Sequence, residues 1–223
     1  MKHPFKARLH SYFALLILLL VGLQTQAQDR IKIACVGNSI TEGYGLKVTY
    51  PQALQQMLGD AYEVRNFGLG GRTLLKQGDH PYWNEDKYKE VLAWQPDIVI
   101  IKLGTNDTKP QNWKFKDEFV PNYVAFVNSF KALPSEPKVF LALPMPAFEI
   151  KWGINGDIVK NEVIPAVKEV AKQTKAKTID LYTPFLGKAN LTYDQIHPNE
   201  EGVVLLASEV FKGLPKKKVK KKK

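Results

Sequence analysis

The sequence predicts a three-layer α/β/α domain built on a five-stranded parallel sheet. Two observations carry this. Short apolar runs alternate about five times with segments of helical period, the pattern of a parallel sheet covered on both faces. The strongest run, Asp97 to Leu103, is β-branched and almost wholly apolar, as a strand buried on both sides must be. With 223 residues and neither an internal repeat nor an interdomain linker, the chain reads as one domain over residues 28–214.

Each element has its own signal. Ile31 to Val36 is an apolar run ending at Gly37, a buried strand. Thr49 can cap a helix with Pro51 in its first turn and Ala53, Leu54, Met57 and Leu58 on one face, stopped by Gly59. Tyr62 to Asn66 is the second strand and Glu85 to Trp94 the next helix. After the Asp97–Leu103 strand, Phe119, Tyr123, Phe126, Val127 and Phe130 recur at helical steps within 115–133. Lys138 to Leu143 is the fourth strand. A helix over 157–173 contains Pro165, which should kink or interrupt it. Lys177 to Leu181 is the fifth strand, and Glu200 to Phe211 the last helix.

In such sheets ligands bind beyond the carboxyl ends of the strands. Four regions there carry chemistry. Gly37-Asn38-Ser39-Ile40-Thr41-Glu42-Gly43 places a serine directly after the first strand, where its hydroxyl and N–H can meet at the sheet edge. A turn serine or an anion-binding loop would read the same in isolation. The Gly-x-Ser-x-Gly elbow is absent, because Thr41 occupies the second glycine's place. Asn66-Phe67-Gly68-Leu69-Gly70-Gly71-Arg72-Thr73 follows the second strand, and its glycines let backbone approach a ligand closely. In Gly104-Thr105-Asn106-Asp107, Asn106 can offer a side-chain N–H to an oxyanion or simply cap a turn. In Asp194-Gln195-Ile196-His197, the carboxylate can fold back to the imidazole Nδ1–H, fixing the tautomer.

Taken together, the four blocks resemble the SGNH (GDSL-type) hydrolase family, whose fold is flavodoxin-like. Each motif is weak, but all four occur in the family's order across residues 37–197, each at a strand end or before the last helix. The resemblance implies Ser39 as nucleophile, His197 as general base and Asp194 as its orienting partner. It implies an oxyanion hole from the N–H groups of Ser39 and Gly71 and the side chain of Asn106. Asn38 departs from the aspartate usual before the serine. The wording around the blocks, including Lys102-Leu103-Gly104-Thr105-Asn106-Asp107, looks like exported bacterial carbohydrate esterases of this family, most nearly sialate O-acetylesterases, so removal of O-acetyl groups in the manner of those enzymes is the activity expected. The substrate implied is a small O-acetylated sugar or glycan, with no metal or organic cofactor. Arg72, beside Gly71, can pair with a sialate carboxylate or hold its loop through an acid such as Asp79. Tyr82, Trp83, Trp113 and Trp152 lie in or near the loops, where aromatic faces suit sugar rings; ordinary packing would place them there as well.

Charge and termini narrow the classes. The net charge of +10 resides in Lys2, Lys6 and Arg8 and in seven lysines of 216–223, leaving the body neutral. That argues against a broad nucleic-acid face. The basic start, the apolar run Phe13 to Leu23 and Thr25-Gln26-Ala27 form an export signal over 1–27, so a periplasmic or secreted protein without stable membrane insertion is expected. Residues 215–223 read as a disordered lysine tail. Cys35 is the single cysteine, and no Cys/His cluster suggests zinc. The rivals are an acetylxylan esterase, a lysophospholipase or thioesterase on the same scaffold, and a noncatalytic flavodoxin-like binding module. Flavin binding has no need of an Asp-x-x-His pair, and a fatty chain needs a long apolar groove.

Overall fold

The computed structural model describes residues 30–215; the export segment expected at 1–27 and the lysines of the expected tail lie outside the described residues. Five parallel strands, β1 (Ile31–Gly37), β2 (Tyr62–Gly68), β3 (Ile98–Lys102), β4 (Lys138–Leu143) and β5 (Lys177–Asp180), lie in the order β2-β1-β3-β4-β5. The α-helices of four or more residues are α1 (Ser39–Glu42), α2 (Tyr50–Leu58), α3 (Asp86–Trp94), α4 (Pro110–Trp113), α5 (Phe119–Lys131), α6 (Ile164–Thr174) and α7 (Glu200–Gly213).

Strand alternation splits the core in two. Ala34, Val36, Val99, Ile101 and Leu141 face α3, α5 and α6, where Phe119, Tyr123, Phe126 and Val167 fill the layer. Ile33, Cys35, Ile100 and Ala142 face α2 and α7, meeting Leu54, Leu206 and Val210. Every residue of β3 is buried, so its letters had to be apolar, with one exception at its carboxyl end.

Local chemistry sets the boundaries. Thr49 and Gln52 form a reciprocal capping box at α2, satisfying two otherwise orphaned backbone donors. Pro165 falls in the first turn of α6, where its missing N–H costs no helical bond. The interruption expected at this proline is a π-helical turn, Val159–Val163, immediately before α6.

The register positions the site. Gly37 pairs with Gly68 on one side and with Lys102 on the other, so the loops after β1, β2 and β3 start from one row. α1 folds back over that row. A β-carbon on Gly68 would lie 2.1 Å from the Glu42 backbone nitrogen, so only glycine admits this contact.

Candidate active site

Ser39 is the first residue of α1. Asn38 caps it, its Oδ1 accepting from the Ile40 N–H at 3.2 Å, and α1 ends at Gly43 in the left-handed conformation. The turn is thus fixed at both ends, and it lifts the serine above the sheet edge. Ser39 Oγ lies 2.8 Å from His197 Nε2, across 158 residues of sequence. His197 Nδ1 lies 2.6 Å from Asp194 Oδ2. A carboxylate only accepts, so the imidazole carries its proton on Nδ1 and leaves Nε2 free to accept from the serine hydroxyl.

The loop carrying this pair is internally tied. Asp194 Oδ1 accepts the N–H groups of Ile196 and His197 at 2.9 and 2.6 Å. Thr192 and Pro198 form an antiparallel bridge, and the Tyr193 N–H donates to the His197 carbonyl at 3.1 Å. Partial burial pushes the Asp194 carboxyl up, but the hydrogen bonds from His197 and Ile196 outweigh it and hold the group below the ordinary carboxylate range. An ionised carboxylate behind the imidazole stabilises the imidazolium that forms when Nε2 takes a proton.

Gly71 and Asn106 reach the same space. Gly71 has φ of +76°, a conformation glycine adopts without strain. The Asn106 side chain donates to the Arg72 carbonyl at 3.2 Å, which orients its amide and leaves a second N–H for the cavity. Asn112 braces the turn by donating to the Asn106 carbonyl at 2.9 Å. Buried Asp107 accepts the N–H groups of Leu74 and Leu75 at 2.8 to 3.1 Å, clamping the Gly71 loop against the Asn106 turn. Burial raises the Asp107 carboxyl to about 6 despite those bonds. Its clamping role was not read from the sequence, where it followed Asn106 as an ordinary turn residue.

These residues open into a cavity of about 560 Å³, lined by Ser39, Gly71, Asn106 and His197 together with Tyr44, Lys109, Trp152, Ile154 and Tyr193. The His197 ring lies between Tyr193, stacked at 5.7 Å between centroids, and Trp152, tilted at 5.8 Å. Trp152 is 58% exposed and Tyr193 49%, so both rings keep a face free. Tyr44 and Tyr193 were not foreseen; the signal was their position, one just past α1 and the other directly before Asp194.

Two expected substrate contacts are corrected. Trp113 is 8% exposed; helical phase turns it inward, where its ring packs edge-on against Phe119 and its Nε1 donates to Glu162 at 3.0 Å. Arg72 does not face the cavity. Its Nε donates to Glu85 at 2.9 Å and its Nη1 to the Gly70 carbonyl at 2.7 Å, so the guanidinium holds the loop. The acid is Glu85 rather than Asp79, which faces Lys109 at 3.5 Å. Tyr82 and Trp83 are likewise packed, bonded to the carbonyls of Phe67 and Leu74. Of the four aromatics singled out from the sequence, Trp152 alone lines the cavity.

Comparison with known proteins gives the family and the fold of this chain. An acetylxylan esterase of Xylanibacter ruminicola is 40% identical over 210 residues, covering 84% of this chain and 44% of that protein. The chain thus spans less than half the length of this relative. Among solved structures, an acetyl xylan esterase, AlAXEase, superposes with a TM-score of 0.69 at 24% identity, covering 83% of this chain and all of that one. A lipase/acylhydrolase from Enterococcus faecalis gives 0.65 at 26% identity, covering 81% of this chain and 93% of that one. The family model described as GDSL-like lipase/acylhydrolase matches residues 35–204, a span that contains all four loops of the site. On that match the chain belongs to the GDSL-like lipase/acylhydrolase family.

Proposed function

We propose that the protein is a serine carboxylester hydrolase that removes O-acetyl groups from a carbohydrate, with acetylated xylan as the substrate class. The observation that carries the reading is the continuous chain from Ser39 Oγ through His197 to Asp194, open to a cavity of sugar-ring size. In this mechanism Ser39 Oγ attacks the acetyl carbonyl while His197 Nε2 takes its proton. The N–H groups of Ser39 and Gly71 and the Asn106 amide stabilise the tetrahedral oxyanion; such donors are typically worth roughly 3 kcal/mol of barrier each. His197 then gives its proton to the leaving sugar hydroxyl. Water, activated in turn by His197, hydrolyses the acetyl-enzyme and restores the serine.

The choice of xylan over sialate follows from two supports. The relative from Xylanibacter ruminicola is an acetylxylan esterase. Arg72, the residue that would have paired with a sialate carboxylate, is engaged by Glu85 and Gly70. The exposed faces of Trp152 and Tyr193 offer stacking surfaces for a pyranose beside the nucleophile. Action on an extracellular polysaccharide also fits the export signal read in residues 1–27. The test is a hydrolysis panel of acetylated xylan, O-acetylated sialic acid, and short- and long-chain nitrophenyl esters, run on wild type and on Ser39→Ala. The expected outcome is release of acetate from xylan and from the short ester, abolished in a folded Ser39→Ala protein. Turnover surviving in Ser39→Ala contradicts the mechanism, and preference for the long-chain ester contradicts the substrate class.

A further inference from the structure

Beneath the nucleophile turn lies a charged residue that the mechanism above does not use. Lys102 ends β3 and is completely buried. β-strand alternation puts its side chain on the face of Ile98 and Ile100, toward α1 and α2. Its Nζ reaches the Asn38 Oδ1 at 3.3 Å and the Thr105 hydroxyl at 3.4 Å. Among the described residues no carboxylate lies within ion-pair distance of it. Cys35, which burial pushes up to about 12, and Tyr50, which burial also raises, share this face with Tyr62, a phenol, and none of the three is a carboxylate that could pair with the amine. An unpaired ammonium is among the most costly groups to bury, and a methionine would fill the same space without that penalty.

The two bonds explain what the amine does there. Asn38 directly precedes Ser39, and Thr105 directly precedes Asn106. One nitrogen therefore ties the loop carrying the nucleophile to the loop carrying the oxyanion donor. Asn38 Oδ1 accepts from both Lys102 and the Ile40 N–H, so one oxygen joins the strut to the cap of α1, while the buried Asn38 Nδ2 has no partner. Resting on the reading of Ser39 as nucleophile, we propose that Lys102 is a positioning residue, a strut that sets the spacing between Ser39 and Asn106 by bonding Asn38 and Thr105. It touches neither substrate nor reacting atoms. Burial pulls the amine down to about 7. In its neutral form it still donates to Asn38 and can also accept from the Thr105 hydroxyl, so the strut does not require the charge.

A double-mutant cycle with nitrophenyl acetate tests this, with Ser39→Ala alongside. Lys102→Met is expected to lower kcat about tenfold, the scale of a sub-ångström misplacement, with KM within about twofold and an unfolding midpoint equal to or above wild type. Asn38→Ala should lose a similar factor. Lys102→Met/Asn38→Ala should lose less than the product of the two single losses, because the Lys102–Asn38 bond is removed by either one while the cap of α1 and the bond to Thr105 belong to one residue each. Asn38→Asp, which keeps an acceptor facing Lys102, should recover most of the turnover lost in Asn38→Ala. If Lys102→Met does not fold, Thr105→Val removes one end of the strut and should lower kcat severalfold at constant KM. The proposal is overturned by wild-type kcat in folded Lys102→Met or Thr105→Val, by multiplicative losses in the double variant, or by Asn38→Asp as impaired as Asn38→Ala. A dead Ser39→Ala beside a fully active Lys102→Met refutes the strut alone. An active Ser39→Ala refutes the hydrolase reading and the strut with it.

Discussion

Single residues near this site do different jobs at similar depth. Asp194 stays ionised because three hydrogen bonds outweigh its partial burial, whereas Asp107, deeper and between two backbone donors, is raised. Lys102 is the cationic counterpart, lowered by burial with no anion to offset it. Its consequence for stability has a definite sign. Between about 7 and the ordinary lysine value, the unfolded chain holds a proton that the folded protein does not, so unfolding free energy rises with pH across that window. Cys35, raised to about 12, acts in the opposite sense above about pH 8.5 in both proteins, so in urea unfolding from pH 7 to 9.5 wild type should gain on the order of 3 kcal/mol relative to Lys102→Met. An identical slope in both proteins would mean that Lys102 is not buried as the structure places it. The sequence displayed this lysine plainly, as the one charged letter within Ile98 to Leu103. Recognising it as buried required knowing that both faces at the carboxyl end of β3 are covered, by α5 on one side and α1 on the other.

At the scale of elements, α1 is the part on which the site depends most. It is four residues long and has too few hydrogen bonds to persist alone. It is held by the Asn38 cap, by Gly43, and by close packing on the end of β2 through Gly68. Asn66 adds to this, its Nδ2 donating to the carbonyls of Thr41 and Glu42 at 2.8 and 3.2 Å. Gly68→Ala should therefore cost about 2 kcal/mol of stability, in the range of an overpacked core, and lower kcat by displacing Ser39. Unchanged unfolding and kinetics in that variant would show that α1 tolerates movement. Strand existence was legible because apolar runs alternating with helical period form a pattern that extends along the whole chain. The phase of a short helix was not. Four residues of α4 carry too little periodicity to say which way Trp113 points, and proximity in sequence to the Asn106 loop was a poor guide.

Across the whole molecule, residues 37–43, 66–73, 104–107 and 194–197 gather at the carboxyl ends of the strands, and this gathering was readable because parallel strands present those ends on one side. The surroundings of the cavity were not readable in the same way. Tyr44, Trp152 and Tyr193 come from three separate loops, and no spacing rule links them. Trp152 stands at φ of +53° in a turn closed by the Ile154 N–H on the Lys151 carbonyl at 2.9 Å, a backbone state that bulky residues adopt rarely. Its position holds a large exposed ring over the cavity, as expected of a sugar-stacking surface. Trp152→Ala should raise KM for acetylated xylo-oligosaccharides by about tenfold, the loss of one stacked ring, while changing KM for nitrophenyl acetate by less than twofold. Equal effects on both substrates would assign Trp152 to holding His197 rather than the sugar.

The central claim is that Ser39 is a nucleophile activated by His197 and oriented toward the oxyanion donors. Covalent labelling with a small phosphonate ester, followed by peptide mapping, measures this most directly, because the reagent demands an activated hydroxyl beside a working oxyanion hole. The expected result is loss of esterase activity in proportion to label incorporated, with the label confined to Ser39, absent in Ser39→Ala and slowed severely in His197→Ala. Complete labelling with activity retained, or inactivation with the label on another residue, would contradict it.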